Sequence, residues 1–569
     1  MKKVGLIGAL SLLALLAAGV AGVHRWFNPP PPPVQLFTNG TILTMDPGNP
    51  RADAMLVKRG EIVALGASDT LRDQVSRDVR VVDLQGGVLM PGFIEAHGHF
   101  PGEGLSAVAV DANSPPIGDL DSIATLLERL RTLSQRRLDG ALLAYGFDDT
   151  TVSDQRYPTR AELDTISDTR PIMVLHISGH LGVVNSAALK AMSISENVED
   201  PPGGYYGRDD DGRLNGLLAE TAFNPVRANI LKLSAIDGYR VMRRASRLYL
   251  SRGITFAQNG LADTTTIKAL VPALRFGLIP LRLSVWPGAA AEEARKDGQW
   301  TLPEGERIHL GPVKLVSDGS LQGYTGFLEE PYYRVPDDHP PEYLGFPNQS
   351  PQQLARQVVQ FHCAGRQTAI HANGDAAITM SLDAVAQARQ QCPEVAVQPV
   401  LIHAQMATRD QLARMQALDV IPSFFNNHVY YWGDRHRDLF LGPERASRIS
   451  PLAEAAEQGL RFTLHADSPV VPFQPLQLVW NAVERRTASG DLLGPQQAIS
   501  VERALQAVTV DAARQLGVDD RVGQLRIGKR ADLVWLDRDP REFIGDWSSI
   551  QVRGTWVDGV RRYPERIAE

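Results

Sequence analysis

The sequence lacks a surplus of positive charge, and it contains almost no cysteine. It has 58 Lys and Arg against 65 Asp and Glu, a formal net charge of -7. This excludes a polycationic chain and gives no sign of a nucleic-acid partner. A hydrophobic content of 43% with 22% charged residues excludes a disordered chain and is typical of an ordinary globular protein.

Only two cysteines occur, Cys363 and Cys392. Each follows a helix-like stretch and precedes an apolar run, so in neighbouring units of a barrel they would lie at the same end. An exported chain can oxidise such a pair to a disulfide. Two unpaired thiols are the alternative, and the sequence leaves the choice open.

One long uncharged run, residues 4–23, follows Lys2 and Lys3 and precedes the five prolines of residues 29–33. Its length suits a membrane-spanning helix of about 20 residues better than the roughly 7–15 of a cleaved signal's core, although small residues near its end would suit a signal peptidase. We predict that residues 1–33 are a signal anchor or signal peptide with a stiff Pro-rich linker. The rest would be exported to the periplasm, anchored to the inner membrane or secreted after cleavage.

Strand-like runs open the remaining chain and return at its end. They are residues 34–45, 54–66, 79–90, 531–539 and 552–563, with turn signals between them. We therefore predict a small β-sandwich domain built from both chain ends, residues 34–90 and 516–569.

Eight short apolar runs lie between these segments, and most are separated by helix-like stretches. The runs are residues 92–99, 253–259, 281–286, 313–319, 368–374, 400–405, 420–426 and 462–467. This alternation predicts an α/β fold, a (β/α)8 TIM barrel over residues 91–515. About 150 residues separate the first two runs, so we predict an inserted subdomain over the barrel mouth, from residue 101 to about 235.

Polar side chains stand at the ends of these runs, where catalytic groups of such barrels lie. In the first run Glu95, His97 and His99 alternate, which places them on one face of a strand. A pair of hydrogen-bonded core histidines would explain an isolated H-x-H equally well, but ligand-type residues recur at matching places. The predicted divalent-metal ligands, with zinc as first choice and one or two ions, are His97, His99, Lys314, His371, His403 and Asp467.

These motifs resemble the amidohydrolase superfamily, in the branch that contains N-substituted formamide deformylases. The resemblance covers about residues 35 to 563. Its motifs are PGFIEAHGH (91–99), GPVKLVSDGSLQGYTG (311–326), IHANGDAAI (370–378), LIHAQ (401–405) and HADSPV (465–470). It implies a metal-dependent hydrolase acting on carbon–nitrogen bonds other than peptide bonds. Glu95 stands where an aspartate is usual, and Gln322 departs from the expected pattern.

The predicted chemistry follows from a bound divalent metal, which lowers the pKa of its water from about 15.7 towards roughly 7. The resulting hydroxide would attack a carbonyl carbon. Asp467 would act as the general base and return the proton to the departing amine nitrogen, and His403 is the imidazole predicted to stabilise the oxyanion.

Lys314 has three interpretations. The resemblance implies a lysine carboxylated on Nζ, which would bridge two metals as an anionic ligand. Alternatively, Lys314 stays an ammonium and binds an anionic substrate group, or it pairs with Asp318. We favour carboxylation.

Four residues are predicted to contact the substrate. His180 and Asn185 belong to HISGHLGVVNSAAL (176–189), which resembles a stretch that faces substrate in relatives. Asp318 and Gln322 belong to the lysine segment. His465, on the same strand face as Asp467, is predicted to support the site or to belong to the core.

The leading hypothesis is an exported hydrolase that cleaves an amide-type bond of a small molecule. Ester, lactone or carbamate hydrolysis at the same site is the enzymatic alternative. A non-catalytic, membrane-tethered binding protein is an alternative of another class. Metal content separates it from the hydrolase, because a protein without stoichiometric metal would favour the binding protein. The N-terminal segment would attach the protein to the membrane if it stays uncleaved, and a homodimer remains open.

Overall fold

The computed structural model describes residue 22 and residues 28–76, 79–137, 139–303, 305, 307–336, 339–542 and 547–564. The predicted signal or anchor falls mainly on residues 1–21 and 23–27, outside the described residues. Within the described ranges, no helix combines the length and apolar character needed to cross a membrane.

All eight predicted apolar runs contain a buried strand. The strands, called the first to the eighth below, are Phe93–Ile94, Ile254–Ala262, Arg282–Pro287, Val313–Val316, Thr368–Ala372, Val400–His403, Ile421–Phe424 and Thr463–Leu464. Within each sheet, neighbours in sequence are parallel neighbours in space. Both faces of such a sheet are covered, which explains why the runs are almost continuously apolar.

The strand ladders form two parallel arcs rather than one closed ring. A short strand, Ile308–Leu310, completes the first arc, and Val313–Val316 begins the second. An isolated bridge between Gly288 and Lys314 joins the arcs on one side. On the other side, no ladder of the described residues joins the eighth strand to the first. There the Ile94 N–H donates to the Val508 carbonyl and the His99 N–H to the Ser468 carbonyl, at 3.0 and 2.6 Å.

The fold is therefore an α/β, TIM-barrel-like fold, and within the described ranges the strands do not close fully as the sequence predicted. The physical reason is the length of the two seam strands, which have two residues each. Beyond Ile94 the chain leaves strand geometry to form the site.

Helices separate most of the strands and carry ordinary start signals. Asp263, Ser350 and Thr408 each accept a backbone N–H three residues on, and Pro351 occupies the first position of its helix. The helices are Thr264–Arg275, Ala289–Lys296, Pro351–Cys363, Asp375–Gln391, Arg409–Ala417, His428–Arg435, Gly442–Ala446, Leu452–Glu457, Pro475–Glu484, Val501–Ala507 and Val510–Gln515. Most of their apolar faces pack with the strands in one large hydrophobic core, and two smaller clusters contain the rest.

The segment between the first and second strands forms a six-stranded sheet of its own. Its strands are, in spatial order, Gly204–Arg208, Leu214–Glu220, Leu181–Val184, Ile172–His176, Leu142–Phe147 and Val110–Asp111. Its helices are Ile123–Arg136, Arg160–Asp164, Ser186–Ala191, Asn224–Ile230 and Ala235–Ser251. Two hydrophobic clusters pack on this sheet.

The two chain ends meet in a six-stranded sheet, where Val88–Pro91 pairs antiparallel with Leu533–Leu536. The other strands of this sheet are Thr41–Leu43, Arg51–Ala52, Val552–Val557 and Val560–Tyr563. A second sheet contains Val34–Thr38, Ala54–Lys58, Glu61–Gly66 and Arg80–Asp83, with the helix Ser68–Asp73 beside it. Phe37 of one sheet and Trp556 of the other pack edge to face. A sandwich of the two sheets stays a prediction, as do the domain boundaries.

Cys363 and Cys392 form a disulfide. Cys363 ends the helix Pro351–Cys363, and Cys392 follows directly after the helix Asp375–Gln391. Of the two alternatives that the sequence left open, the structure contains the bonded pair.

A buried ion-pair cluster ties the barrel to the sheet of the chain ends. Arg282, at the start of the third strand, is almost completely buried. Its guanidinium donates to Asp532 at 2.5 Å and also to Asp558. The two carboxylates flank the strands Leu533–Leu536 and Val560–Tyr563, so the cluster connects elements more than 200 residues apart in sequence.

Arg282→Met should lower the free energy of unfolding by about 3–5 kcal/mol, because removing one partner of a buried pair leaves uncompensated buried charge. Arg409, whose pair with Glu457 is exposed at 3.7 Å, provides the matched control. Arg409→Met should change stability by less than about 1 kcal/mol. Urea unfolding measures both, and equal losses in the two variants would contradict the role of Arg282.

Candidate active site

The first and eighth strands bring two histidines and one carboxylate together. His97 and His99 follow the first strand, and Asp467 follows the eighth. Asp467 Oδ1 lies 3.2 Å from His97 Nε2 and 3.1 Å from His99 Nε2. His97 is buried, whereas the His99 side chain is 36% exposed. The three ligand atoms are all close enough to share one metal ion.

The backbone around this cluster is tightly constrained. Gly98 separates the two histidines, and a Cβ at this position would lie 2.1 Å from Glu95 Oε1. His403 and Asp467 have φ values of 73° and 52°, in the left-handed region that residues other than glycine rarely adopt. Such conformations persist where the surrounding structure enforces them, which is common at functional sites.

Three further predicted ligands lie beside this cluster. Lys314 Nζ is 3.0 Å from His97 Nε2, and His403 Nε2 is 3.9 Å from Asp467 Oδ2. The His371 and His403 rings are 4.5 Å apart, centroid to centroid. The six residues that the sequence selected as ligands therefore lie close together. Five of them are near or just beyond the carboxyl ends of their strands, and Lys314 is the second residue of the fourth strand.

The protonation states of these groups suit a cation. Burial lowers the pKa of His97, His371 and His403 well below the usual range, so all three imidazoles are neutral. Burial alone would raise the pKa of Asp467, but the approach of His97 and His99 outweighs it and holds this pKa well below its usual range. Burial also lowers the pKa of Lys314 to about 7.

The residues present fit a divalent metal. Neutral imidazoles and a carboxylate are the donors that divalent transition metals prefer. Asp467 Oδ1 is buried and has no hydrogen bond of acceptable geometry, although two imidazole nitrogens lie within 3.2 Å of it. Three ligand atoms that converge in this way without bonding to one another are arranged as a cation would require.

A second layer of side chains supports these residues. His465 Nε2 lies 3.2 Å from His403 Nδ1, and the other ring nitrogen of His465 lies 2.9 Å from Ser423 Oγ. Such contacts fix the orientation of a ring that faces a metal site. The supporting role predicted for His465 agrees with this position.

A pocket of about 310 Å³, open solvent included, extends from the cluster. Two predicted substrate residues, His180 and Gln322, line it. Burial lowers the pKa of His180, but the Glu220 carboxylate, 2.9 Å from its Nδ1, outweighs burial and leaves this pKa raised. Gln322 Nε2 lies 3.3 Å from His436 Nε2.

The prediction for Asn185 is wrong. Its side chain is fully buried, and its Oδ1 accepts the N–H groups of Ile172 and Ala188. Its Nδ2 donates to the carbonyls of Ser167 and Arg170. All of its polar capacity is therefore used to cap the helix Ser186–Ala191 and to join it to the neighbouring strand.

The prediction that Asp318 contacts the substrate is also wrong. Its two carboxylate oxygens accept the backbone N–H groups of Phe327, Asn373 and Gly374, at 2.9–3.1 Å. Burial raises the pKa of Asp318 to about 7. Asp318 thus fixes the loop after the fifth strand, and no ion pair with Lys314 occurs among the described residues.

Glu95, His97 and His99 lie beyond the first strand, so the strand alternation that predicted a shared face does not apply to them. The first strand ends at Ile94, so the two-residue period does not extend to Glu95. Its Oε2 accepts a hydrogen bond of 2.8 Å from the Tyr249 hydroxyl.

Sequence reasoning missed several pocket residues, among them the buried imidazole of His428. His428 lies between Phe425 and Trp432, and its Nδ1 has no hydrogen bond. In the sequence, the position of His428 just after the seventh apolar run was the feature that could have indicated a place in the pocket. The other residues of the pocket are Ser178, Ser320, Asn373 and Val470, together with His371, His403 and Asp467.

A TIM-barrel-like fold with imidazoles and a carboxylate converging at its strand ends defines the class of metal-dependent hydrolases. The chain belongs to the amidohydrolase family, whose model matches residues 80–563. This membership makes it a metal-dependent hydrolase that acts on carbon–nitrogen bonds.

Individual relatives are similar to this chain over most of its length. The N-substituted formamide deformylase of Arthrobacter pascens is 28% identical over 547 residues, which cover 93% of this chain and 98% of the relative. An uncharacterized metal-dependent hydrolase from Pyrococcus furiosus superposes with a TM-score of 0.70 at 25% identity, covering 89% of this chain and 100% of that one. Its counterpart from Pyrococcus horikoshii OT3 gives a TM-score of 0.72 at 24% identity, covering 90% and 98%.

Proposed function

We propose that this protein is an exported enzyme that hydrolyses the amide bond of a small molecule, with Asp467 as general base and then general acid. The observation that carries the proposal is the convergence of His97 and His99 on Asp467 Oδ1 without hydrogen bonds.

His97, His99 and Asp467 would hold a divalent cation, for which zinc is our choice because imidazole and carboxylate ligands suit it. His371, His403 and Lys314 would complete this site or hold a second ion. When bound, such a cation makes a coordinated water more acidic and polarises the substrate carbonyl.

Lys314 is proposed to be carboxylated on Nζ. An ammonium group 3.0 Å from the ring nitrogen of His97 would repel a cation held by that nitrogen. A carboxylated lysine carries a negative charge and offers oxygen ligands, which removes this conflict. Mass spectrometry of the intact protein, prepared with and without bicarbonate, tests the modification.

Asp467 performs the proton transfers in this proposal. Its low pKa keeps the carboxylate ionised at neutral pH, so it can accept the proton of an attacking water. The same carboxylate then delivers the proton to the departing nitrogen, which makes the amine a good leaving group. His403 Nε2 lies 3.9 Å from Asp467 Oδ2. If this nitrogen does not hold a cation, His403 would stabilise the negative charge on the carbonyl oxygen by hydrogen bonding, and if it does, that cation would supply the stabilisation.

The pocket favours a small and largely uncharged substrate. Phe425, Trp432 and Val470 supply apolar walls, and Ser320 and Asn373 supply neutral polar groups. The formamide deformylase among the relatives supports an N-substituted amide as the substrate class.

Two observations support export. Lys2 and Lys3 precede an apolar run, and Cys363 and Cys392 are paired, which is typical of oxidising compartments. Alkaline phosphatase fused after residue 33 should be active in a bacterial host. An inactive fusion with normal expression would contradict export.

Hydrolysis is tested with a panel of secondary amides and their matched esters, assayed after metal loading. We expect turnover of at least one amide class, abolished by a chelator and restored by zinc. Turnover of esters alone would replace the amide proposal with ester hydrolysis. A metal-free protein that binds amides without hydrolysing them would identify a binding protein.

A further inference from the structure

The rim of the pocket carries a chain of three polar side chains that the proposed mechanism does not use. Two parallel neighbouring strands, Leu142–Phe147 and Ile172–His176, end at this rim. Asp149 follows the first of them, His176 ends the second, and Ser178 comes two residues later. Ser178 lines the same pocket as Asp467.

The distances connect these residues in order. Ser178 Oγ lies 2.8 Å from His176 Nδ1. His176 Nε2 lies 3.5 Å from Asp149 Oδ1, and both atoms are buried and make no hydrogen bond of acceptable geometry to any described residue. His176 itself is almost completely buried.

The direction of the hydrogen bonds follows from the tautomer that we assign to His176. The Ser178 N–H donates to His176 Nδ1 at 3.2 Å, and we assign the tautomer in which this nitrogen carries the lone pair and the ring proton is on Nε2, on the side of Asp149. In this tautomer the Ser178 hydroxyl, 2.8 Å from Nδ1, is the donor and shares the lone pair with the backbone N–H, because two lone pairs at this distance would repel each other. Its oxygen also accepts the His180 N–H at 3.2 Å.

A hydroxyl oxygen has one proton and two lone pairs. The Ser178 hydroxyl donates its proton to His176 Nδ1, and one lone pair of its oxygen accepts the His180 N–H. One lone pair remains, so towards the pocket Ser178 is a hydrogen-bond acceptor. An acceptor selects a ligand that brings an N–H or O–H group.

The same region contains Asp148, Asp149 and His176, whose ligand atoms are close enough to hold a metal. The contacts of Asp148 disfavour that interpretation. Arg435 donates to its Oδ2 at 2.8 Å and Trp432 at 3.3 Å, while Thr150 bonds to its Oδ1. A cation would have to displace the charge of Arg435, whereas the chain from Asp149 to Ser178 needs no displacement.

We propose that Ser178 accepts a hydrogen bond from the amide N–H of the substrate, so that the enzyme selects secondary amides over N-alkylated amides and esters. His176 and Asp149 are positioning residues, because they fix the proton of the Ser178 hydroxyl without touching the substrate. This inference rests on the proposed amide hydrolysis and names the substrate feature that the site recognises.

The test compares three substrates with the same acyl and leaving-group skeleton: a secondary amide, its N-methyl derivative and the ester. Ser178→Ala should lower kcat/KM for the secondary amide by about 10- to 100-fold, because a substrate N–H is left without its acceptor. The ester and the N-methyl amide should change by less than about threefold, and metal content should stay unchanged. Ser153→Ala, at an exposed serine of the same region, is the matched control.

Asp149→Asn, like Ser178→Ala, should lower the ratio of secondary-amide to ester turnover. Asp149→Glu, which keeps the carboxylate, should retain part of the wild-type ratio. A merely structural role would lower both activities together and leave this ratio unchanged. Equal losses on all three substrates in Ser178→Ala, or no loss on the secondary amide, would overturn the inference.

The proposed function and this inference fail in different ways. If no amide is hydrolysed by the metal-loaded wild type, the proposed function is wrong. Calorimetric binding of the secondary and N-methyl amides to wild type and Ser178→Ala then decides the inference. A wild-type preference for the secondary amide that disappears in the variant would support the role of Ser178, and equal binding would overturn it.

Discussion

Asp467→Asn is expected to lower kcat by about 10²- to 10⁴-fold, the range for removal of a general acid–base group. The amide side chain keeps an oxygen that can face a cation, so metal content should remain near the wild-type level. The carboxylate that accepts and returns the proton is lost. Steady-state kinetics and elemental analysis of the same preparation measure the two quantities.

The control for this variant is Asp438→Asn, because Asp438 is an exposed carboxylate paired with Arg437. It should leave kcat unchanged. Wild-type activity in Asp467→Asn would exclude this residue as the proton carrier. A complete loss of metal in the variant would show that Asp467 acts mainly as a ligand.

His97→Ala is expected to reduce metal affinity by more than about tenfold, since the ring contributes a central ligand atom and its loss disturbs the geometry of the others. Activity at ambient metal should fall accordingly. Because the metal would join the first strand to the eighth, a chelator should lower the Tm of the wild-type protein. The same chelator should have little effect on the Tm of the variant.

The change in Tm caused by the chelator distinguishes loss of the metal from destabilisation by the substitution itself. His339→Ala, at a part-exposed histidine outside the pocket, is the control and should respond to the chelator as the wild type does. Unchanged metal content in His97→Ala would contradict the assignment of His97 as a ligand.

The seam between the first and eighth strands explains why loss of the metal should also lower the stability of the protein. In this seam no strand ladder of the described residues joins the two arcs, and His99 and Asp467 lie on opposite sides of it. A shared cation would therefore add a side-chain connection to the few backbone hydrogen bonds that cross the seam, such as the one from the His99 N–H to the Ser468 carbonyl. Metal binding and stability should be linked here.

The sequence predicts the strands well because they depend on local patterns, and the same patterns select side chains that converge, although their role as metal ligands stays a prediction. Each apolar run needs only its own residues to indicate a buried strand, and the strand ends of parallel sheets lie at one edge. His371 and His403 could therefore be placed beside Asp467, although they are distant in the chain.

The failures concern hydrogen bonds that depend on tertiary contacts. Asn185 looked like a substrate residue in its motif, but its amide caps a helix and contacts a loop nearly 20 residues away. Asp318 looked free to pair with Lys314, yet three backbone N–H groups from other segments occupy its oxygens. The role of Ser178 depends on Asp149, which no sequence pattern connects to it.

The measurement that tests the central claim most directly is anomalous scattering at the zinc edge from crystals of the metal-loaded protein. We expect a peak about 2.0–2.2 Å from His97 Nε2, His99 Nε2 and an oxygen of Asp467, with any second peak between His371, His403 and Lys314. A peak at Asp148, Asp149 and His176 instead, or no peak in stoichiometrically loaded protein, would contradict the account.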